Sequence, residues 1–231
     1  MQKEAQQWKR LKEWGRHCMN KQVVIIGAGG HGKVIADIVR KSGDRVLGFL
    51  DDNTALPEKI EGIPVLGCAN DYIKYPDAEF IIAIGNAAIR RQIAEQLNGV
   101  RWYTAVHPCA VISSMGVKIG EGSAVMANAV INPCASIGRH CIVNTASVIE
   151  HDDVIADYVH ISVGAKLGGT VSVGEQTWVG IGAVVNNNIS VYNHCIIGAG
   201  AVVVKDIKES GTYVGVPARK IKETGFDPCQ Q

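Results

Sequence analysis

An aliphatic residue recurs at every sixth position through most of the second half of this chain. From Ile119 to Val203, fifteen consecutive positions spaced six apart are all Val, Ile or Leu, and the residue four places after each of them is mostly small. A fixed period this short indicates a solenoid, and a six-residue period indicates a parallel β-helix. Because one coil takes three six-residue sides, the run predicts five coils stacked about 4.8 Å apart, with the aliphatic side chains inside.

The first half of the 231-residue chain has a different rhythm. Short apolar runs at 23–26, 45–52 and 79–86 are typical of buried strands, and amphipathic segments at 33–43 and 87–97 are typical of helices. This alternation predicts a parallel α/β sheet with right-handed crossovers. We therefore expect an α/β domain followed by a β domain, with an extension at 1–21, a Rossmann-like domain at 22–106, a β-helix at 107–221 and a tail at 222–231.

A glycine motif, GAGGHG, follows the first predicted strand and opens the first helix. It matches the G-x-G-x-x-G dinucleotide fingerprint, in which a helix amino terminus holds phosphate, and Asp51 and Asp52 follow about 20 residues later. The 85 residues at 22–106 amount to roughly half of a full Rossmann fold, which favours a single nucleotide. Gly85 and Asn86 end another predicted strand, so we expect them to line the same crevice.

The composition of the chain indicates which classes of partner are disfavoured and which cellular compartment is favoured. The net charge is +1, so nothing in it favours nucleic acid or an anionic membrane surface as a partner. The seven cysteines include no C-x-x-C pair, which favours reduced thiols in the cytoplasm over a disulfide framework. No apolar run approaches the ~20 residues that cross a bilayer, so we expect no membrane insertion.

Histidine is the usual general base near neutral pH, and coil arithmetic sorts the histidines of the predicted β-helix. His140 and His194 fall three coils apart in one outward column, so about 14 Å separates them and we expect both to be solvated. His151 and His160 are half a coil apart, which puts them on different sides of the prism. They can meet only where two subunits pack side by side.

The hexad run, GAGGHG, the EHDD segment at 150–153 and YVGVPARKI at 213–221 together resemble the PglD/NeuD-type sugar acetyltransferases. These enzymes are a branch of the left-handed β-helix, hexapeptide-repeat acyltransferases, and the resemblance covers residues 23 to about 221. It implies a left-handed β-helix, acetyl-CoA as co-substrate, no metal, and a homotrimer with active sites between subunits. It also implies N-acetylation of the 4-amino group of a UDP-linked amino-deoxy sugar in bacterial polysaccharide biosynthesis.

The resemblance also implies roles for single residues. His151 corresponds to the general base of a direct acetyl transfer. Asp152 stands where the family usually has a glutamate that orients this base, so its shorter side chain implies a longer hydrogen bond, or a substitute bond from Asp153. Glu150 and Asn144 correspond to polar residues near the sugar amine, completing the implied catalytic set.

The remaining implied contacts are with the two substrates. The UDP-sugar is expected to contact Gly29, Gly30, His31, Asp51 and Asp52, together with Gly85 and Asn86. Acetyl-CoA is expected to contact His160, Ile181 in the pantetheine groove, and Gly169, whose amide N–H matches a donor to the thioester oxygen. For His31 and His160 a structural role without a ligand stays open.

Other functions compete with this interpretation. Within the same family, O-acetylation of a sialic acid hydroxyl is the alternative to N-acetylation. A γ-type carbonic anhydrase requires three histidines converging on zinc, and the predicted histidine columns do not converge. An NAD-dependent oxidoreductase built on GAGGHG is disfavoured by the half-length nucleotide domain. A scaffold that only trimerises is expected to bind acetyl-CoA without turnover.

Overall fold

Residues 20–221 are described by the structure, a computed structural model, and they form an α/β region followed by a three-sided parallel β-helix. The predicted extension and tail lie almost entirely outside the described residues, as does His17. No helix in the described part of the chain has the length and apolar character needed to span a membrane.

The α/β region has one six-stranded sheet with the order β3-β4-β2-β1-β5-β6. Every neighbouring pair is parallel except β3 and β4, which confirms the predicted sheet. Its strands are β1 (Gln22–Ile26), β2 (Arg45–Leu50), β3 (Lys59–Ile60), β4 (Ile63–Gly67), β5 (Glu79–Ile82) and β6 (Arg101–Trp102). Its helices are α1 (Gly30–Lys41), α2 (Ala87–Gln96) and a 3-10 helix (Ala69–Lys74). The glycine motif thus joins β1 to α1, as predicted.

The β-helix has three faces, each a parallel sheet of short strands. The first face contains β7 (Ala105–Val106), β10 (Ala124–Val125), β13 (Ile142–Val143), β16 (His160–Ile161), β19 (Trp178–Val179), β22 (Cys195–Ile197), β24 (Gly211–Val214) and the antiparallel β25 (Arg219–Lys220). The second face contains β8 (Val111–Ile112), β11 (Val130–Ile131), β14 (Val148–Ile149), β17 (Lys166–Leu167), β20 (Val184–Val185) and β23 (Val202–Val203). The third face contains β9 (Lys118–Ile119), β12 (Ser136–Ile137), β15 (Val154–Ile155), β18 (Ser172–Val173) and β21 (Ser190–Val191).

The six-residue period has a simple structural cause. Most strands are two residues long, and the second residue points inward, so each side of the prism contributes one aliphatic side chain to a continuous core. The small residue four places after each inward aliphatic residue is buried at a corner, and Cys141 and Cys195 are two of these residues. Corners require left-handed backbone, and polar residues such as Asn188, with φ of 59°, adopt it there.

The β-helix begins two strands before the hexad run, with β7 on the first face and β8 on the second. The second face has six strands, and β8 of the first coil pairs with β11, with Val111 opposite Val130. Those partners are nineteen residues apart, whereas Lys118 and Ser136 on the third face are eighteen apart. The corner between β8 and β9 therefore holds one extra residue, which breaks the step of six. The fifteen strands from β9 to β23 form the five coils that the hexad run predicts, and β7 and β8 precede them.

The three faces differ in what covers them. The α/β region packs on the first face, where Ala105, Ala124 and Ile142 join its apolar core. The third face presents mostly serine and lysine. The second face presents an outward column that is apolar at five of its six positions: Val111, Val130, Val148, Lys166, Val184 and Val202. The second face is therefore the apolar side of the prism that the α/β region leaves uncovered.

Candidate active site

His151 lies at the corner after β14, between the second and third faces, and its side chain is 58% exposed. Its Nδ1 is 2.9 Å from Oδ2 of Asp152, an ordinary hydrogen-bond length. Because a carboxylate only accepts, Nδ1 carries the proton and Nε2 is left as the basic nitrogen. The bond to Asp152 raises the pKa of His151. The expectation of a longer bond, or of a substitute bond from Asp153, was wrong.

Gly169 occupies the same corner one coil further on and lies directly against the His151 ring. A Cβ at this position would lie 2.5 Å from Nε2 and 2.6 Å from Cε1 of His151. The Gly169 carbonyl accepts from the Asn188 amide at 2.9 Å, whereas the Gly169 N–H donates to no group within residues 20–221. A basic nitrogen and an available amide N–H are therefore neighbours on the surface of the prism.

Asp153 takes the inward position that is small in most coils, and it is fully buried. Its carboxylate accepts from the amides of Glu150 at 2.9 Å and Val171 at 2.7 Å. Ser123 and Thr177 make the equivalent bond to the next coil through a hydroxyl. Asp153 thus anchors the corner that carries Glu150 and His151, and burial raises its pKa to about 7.

Replacing Asp153 by serine is expected to remove a pH dependence of stability. An unfolded aspartate titrates near ~3.9. Between about pH 4 and pH 7 the folded chain therefore keeps a proton that the unfolded chain loses, so the free energy of unfolding falls as pH rises. Between pH 5 and pH 8, we expect the wild type to lose roughly 2.5 kcal/mol relative to Asp153→Ser. Urea unfolding at several pH values measures this, with Ser147→Ala as the non-titrating control. Parallel curves for wild type and Asp153→Ser contradict the assignment.

His160 lies in β16 on the first face, and its surroundings hold it neutral. Its Nε2 is 3.1 Å from the Asn144 amide nitrogen, and its ring stacks on Trp178 at 5.7 Å. Asn144 Oδ1 accepts from the Thr145 amide, which turns the Asn144 NH₂ toward His160. The imidazole therefore accepts at Nε2 and carries its proton on Nδ1. Burial, and then the Arg90 charge, lower the pKa of His160 to about 3.

His31, in the first turn of α1, faces the same junction from the α/β region. Its Nε2 is buried and has no hydrogen-bond partner among residues 20–221. Burial, and then Arg90, lower its pKa to about 4. Burial, then Arg90 and then His31, lower the pKa of His160, so the Arg90 charge acts on a histidine of each half of the chain.

The other predicted nucleotide residues surround the crevice at the carboxyl ends of β1 and β5. Gly29, Gly30 and Gly85 face open space, since a Cβ at any of them would meet nothing within 4 Å. Asn86 caps α2 by accepting from the Ile89 amide at 3.1 Å. The carboxylates of Asp51 and Asp52 also hold loops in place, through hydrogen bonds from backbone amides.

Asp51 Oδ2 accepts from the Ala28 amide at 2.8 Å, and Asp51 Oδ1 from the Asn53 amide at 2.9 Å. Asp52 Oδ1 accepts from the Ala69 amide at 2.9 Å. Asp51 therefore shapes the glycine motif itself, and the expected contact of these acids with ribose stays a prediction.

One histidine prediction was wrong. His140 is 3% exposed, stacks on Tyr158 at 5.3 Å and meets the Trp102 ring edge-on at 4.6 Å. The α/β region covers this part of the first face, so an outward position in the coil is buried by long-range packing. His194, three coils away in the same column, is exposed as expected.

The two groups of candidate residues lie at opposite edges of the second face. His151 and Gly169 are at its corner with the third face. Asn144 and Ile181, which is 60% exposed, are at its corner with the first face. Among the residues from 20 to 221, no three His, Cys, Asp or Glu side chains gather in an arrangement that suits a metal ion.

Comparison with known proteins gives consistent matches. Residues 22–97 match the family model described as the PglD N-terminal domain. The chain is 34% identical over 165 residues to GDP-perosamine N-acetyltransferase of Escherichia coli O157:H7, covering 67% of this chain and 73% of that protein. It is 41% identical over 121 residues to UDP-N-acetylbacillosamine N-acetyltransferase of Bacillus subtilis (strain 168), covering 46% of this chain and 52% of that protein.

A solved structure extends the similarity over most of the chain. The acetyltransferase domain of PglB from Neisseria gonorrhoeae FA1090, in complex with acetyl coenzyme A, superposes with a TM-score of 0.83 and 38% identity. The match covers 87% of this chain and 100% of that domain. Both the α/β region and the β-helix therefore have counterparts in a protein that binds acetyl-CoA.

Proposed function

The chain belongs to the PglD-type family of acetyl-CoA-dependent sugar N-acetyltransferases, and from that premise we propose that it acetylates the 4-amino group of a UDP-linked amino-deoxy sugar. The acetylated sugar then enters bacterial polysaccharide biosynthesis. One observation carries the proposal: His151 Nε2 is available, basic and adjacent to the amide N–H of Gly169. A base for the nucleophile and a donor for an oxyanion are what direct acyl transfer to an amine requires.

In this mechanism His151 Nε2 removes a proton as the sugar amine attacks the thioester carbonyl carbon. Negative charge then develops on the carbonyl oxygen, and the Gly169 N–H stabilises it. When the carbon–sulfur bond breaks, His151 returns the proton to the thiolate of CoA, so that the amide and the free thiol are the products. Asp152 stabilises the imidazolium between these two steps through the bond to Nδ1. Glu150 and Asn144 are assigned to the sugar amine.

The pKa values favour His151 over the other candidate histidines as the base. His31, His140 and His160 have pKa values of about 3 to 4, so they stay neutral and are weak bases at neutral pH. They suit hydrogen bonding instead. We assign His31, Gly29 and Gly30 to the nucleotide diphosphate, with Gly85 and Asn86 beside it, and Asp51 and Asp52 to the nucleoside. His160 and Ile181 are assigned to acetyl-CoA.

A homotrimer is part of the proposal. The valines of the second-face column are exposed or partly exposed in the single chain, and apolar surface of this kind favours burial in an interface. The edges of that column carry His151 on one side and the Asn144–His160 group on the other. Packing of second faces around an axis brings one subunit's base toward another's His160. Sedimentation equilibrium tests this, and a monomer at micromolar concentration contradicts it.

A GDP-linked 4-amino sugar is the second candidate acceptor, because the E. coli relative is named for GDP-perosamine. We favour UDP because identity to the B. subtilis enzyme named for a UDP-sugar is higher, at 41% over 121 residues against 34% over 165 residues for the E. coli enzyme. A sialic acid hydroxyl is the third acceptor to test. The experiment measures thiol release from acetyl-CoA with matched UDP- and GDP-linked 4-amino sugars and with free sialic acid.

The expected result is turnover that requires the amino group, with the highest kcat/KM for a UDP-linked sugar. Preference for the GDP-linked sugar corrects the nucleotide and leaves N-acetylation standing. Turnover with sialic acid alone refutes N-acetylation. Acetyl-CoA binding by calorimetry without thiol release from any acceptor refutes the catalytic proposal and points to the scaffold.

A further inference from the structure

Within residues 20–221, a buried cation joins the α/β region to the β-helix. Arg90, in the first turn of α2, is 1% exposed. Its guanidinium donates to the carbonyls of Ile84 and Gly85, both at 2.9 Å, at the end of the β5 strand. It also donates to the carbonyls of His140 at 2.9 Å and Tyr158 at 2.6 Å, which occupy one corner in successive coils of the β-helix. One planar group thus holds two carbonyls from each half.

This position is electrostatically unfavourable for a cation. The amino terminus of a helix is the positive end of its dipole, and a buried charge is costly unless it is well satisfied. After burial, the charge of Arg90 is the next cause that lowers the pKa values of His31, His140 and His160. Well-packed apolar residues often join two surfaces at no loss of stability relative to buried charges. Arg90 satisfies four carbonyl oxygens and so contributes to stability, but the charge itself is not needed to join the two surfaces.

Geometry gives a reason. Arginine presents its donors in a rigid planar fork, so four bonds from one guanidinium fix the distance and angle between the groups it joins. Here those groups are the Gly85–Asn86 loop, assigned above to the nucleotide, and the coil next to His160, assigned above to acetyl-CoA. Acyl transfer requires the amine and the thioester carbon to approach within about 3–3.5 Å, and a misplacement of about 1 Å costs about 100-fold in rate.

We propose that Arg90 is a positioning residue that sets the spacing between the sugar nucleotide and the acetyl-CoA site. The inference rests on the proposed function, because it needs one substrate on each half of the chain. It assigns no contact between Arg90 and either substrate. Replacing Arg90 is therefore expected to lower kcat, because kcat depends on how the two bound substrates are aligned. The affinity for acetyl-CoA is expected to stay unchanged.

The test is Arg90→Met compared with Arg91→Met. Arg91 follows on the same helix and also reaches the β-helix, through Glu175 at 3.1 Å, but it is 42% exposed and its ion pairs are on the surface. Surface ion pairs contribute little, so Arg91→Met is expected to leave the kinetics unchanged. In Arg90→Met we expect kcat at saturation with both substrates to fall about 100-fold, with the KM for acetyl-CoA within about twofold of wild type.

Several results overturn the proposal. One is a lower melting temperature with unchanged kcat, since that is the behaviour of a merely structural residue. If Arg90→Met fails to fold, Arg90→Lys keeps the charge and loses the fork. It is expected to lose about tenfold in kcat, and a wild-type kcat in that variant overturns the proposal.

Hydrogen exchange separates this inference from the proposed function, because it needs no turnover. Loss of the four Arg90 hydrogen bonds is expected to speed amide hydrogen exchange in the 84–86 loop of Arg90→Met relative to Arg91→Met. Unchanged exchange overturns the positioning role even if the substrates are misassigned. A wild type that is inactive with every amino sugar refutes the proposed function instead.

Discussion

Replacing His151 by alanine lowers kcat by about 10³-fold, because general base catalysis contributes roughly 10²–10⁴ in rate. His194→Ala is the matched control, since His194 is an exposed histidine on the same prism and has no assigned role. Thiol release at saturating acetyl-CoA and amino sugar measures the effect. The KM for acetyl-CoA is expected to stay within about threefold of wild type, because the base is assigned to the amine. Residual kcat above a tenth of the wild-type value removes His151 from the chemical step.

The same assignment fixes the sign of the pH profile. A general base works deprotonated, so kcat/KM rises with pH through the pKa of His151. The hydrogen bond to Asp152 raises the pKa of His151 above the ordinary 6.5. The midpoint of the rise of kcat/KM with pH is therefore expected above pH 6.5 in the wild type. This rise disappears in His151→Ala.

Replacing Gly169 by alanine is expected to lower kcat by about 100-fold without unfolding the protein. The added Cβ would lie 2.5 Å from His151 Nε2, and the imidazole is exposed, so the ring moves aside and the main chain stays in place. A displaced base loses its alignment with the amine, and misplacement of this size costs about 10²-fold. The melting temperature is expected to change little.

A double-mutant cycle identifies the cause. Once His151 is alanine, the methyl group at Gly169 meets no imidazole, so Gly169→Ala is expected to add almost nothing to His151→Ala. Losses that multiply in the double variant show that the methyl group acts elsewhere, for example on the Gly169 N–H and its oxyanion. The wild type, the two single variants and the double variant thereby separate the role of the His151 base from that of the Gly169 N–H.

The sequence predicted what depends on local repetition. A strand of two residues has only one inward side chain, so the hexad run reports the core directly, and the glycine motif lies between β1 and α1 as expected. What failed depended on long-range packing. His140 is outward in its own coil, and only the α/β region lying on that coil buries it. Arg90 has no motif around it and resembles any helix-surface arginine until the two halves are brought together.

In the candidate site, too, the sequence could predict the features that depend on the repeat and could not predict those that depend on long-range packing. The family resemblance, which the EHDD segment helps to carry, predicted a role for His151, and the coil arithmetic predicted that His151 and His160 lie on different sides of the prism, as they do. The close approach of Gly169 follows from its place one coil later, eighteen residues on, and could have been predicted from that spacing. The neutral state of His160 could not, because it results from Asn144, Trp178 and the charge of Arg90 together.

The extra residue in the corner between β8 and β9 lies in the outermost coil, which has a neighbour on one side only. A loop can lengthen there without displacing a second layer. In the middle of the stack the same insertion would slide His151 off Gly169 and separate Asn144 from His160, because both pairs depend on the layers being in step. We therefore expect natural length variation among relatives of this chain to gather at the ends of the prism, and its central layers to keep a constant length.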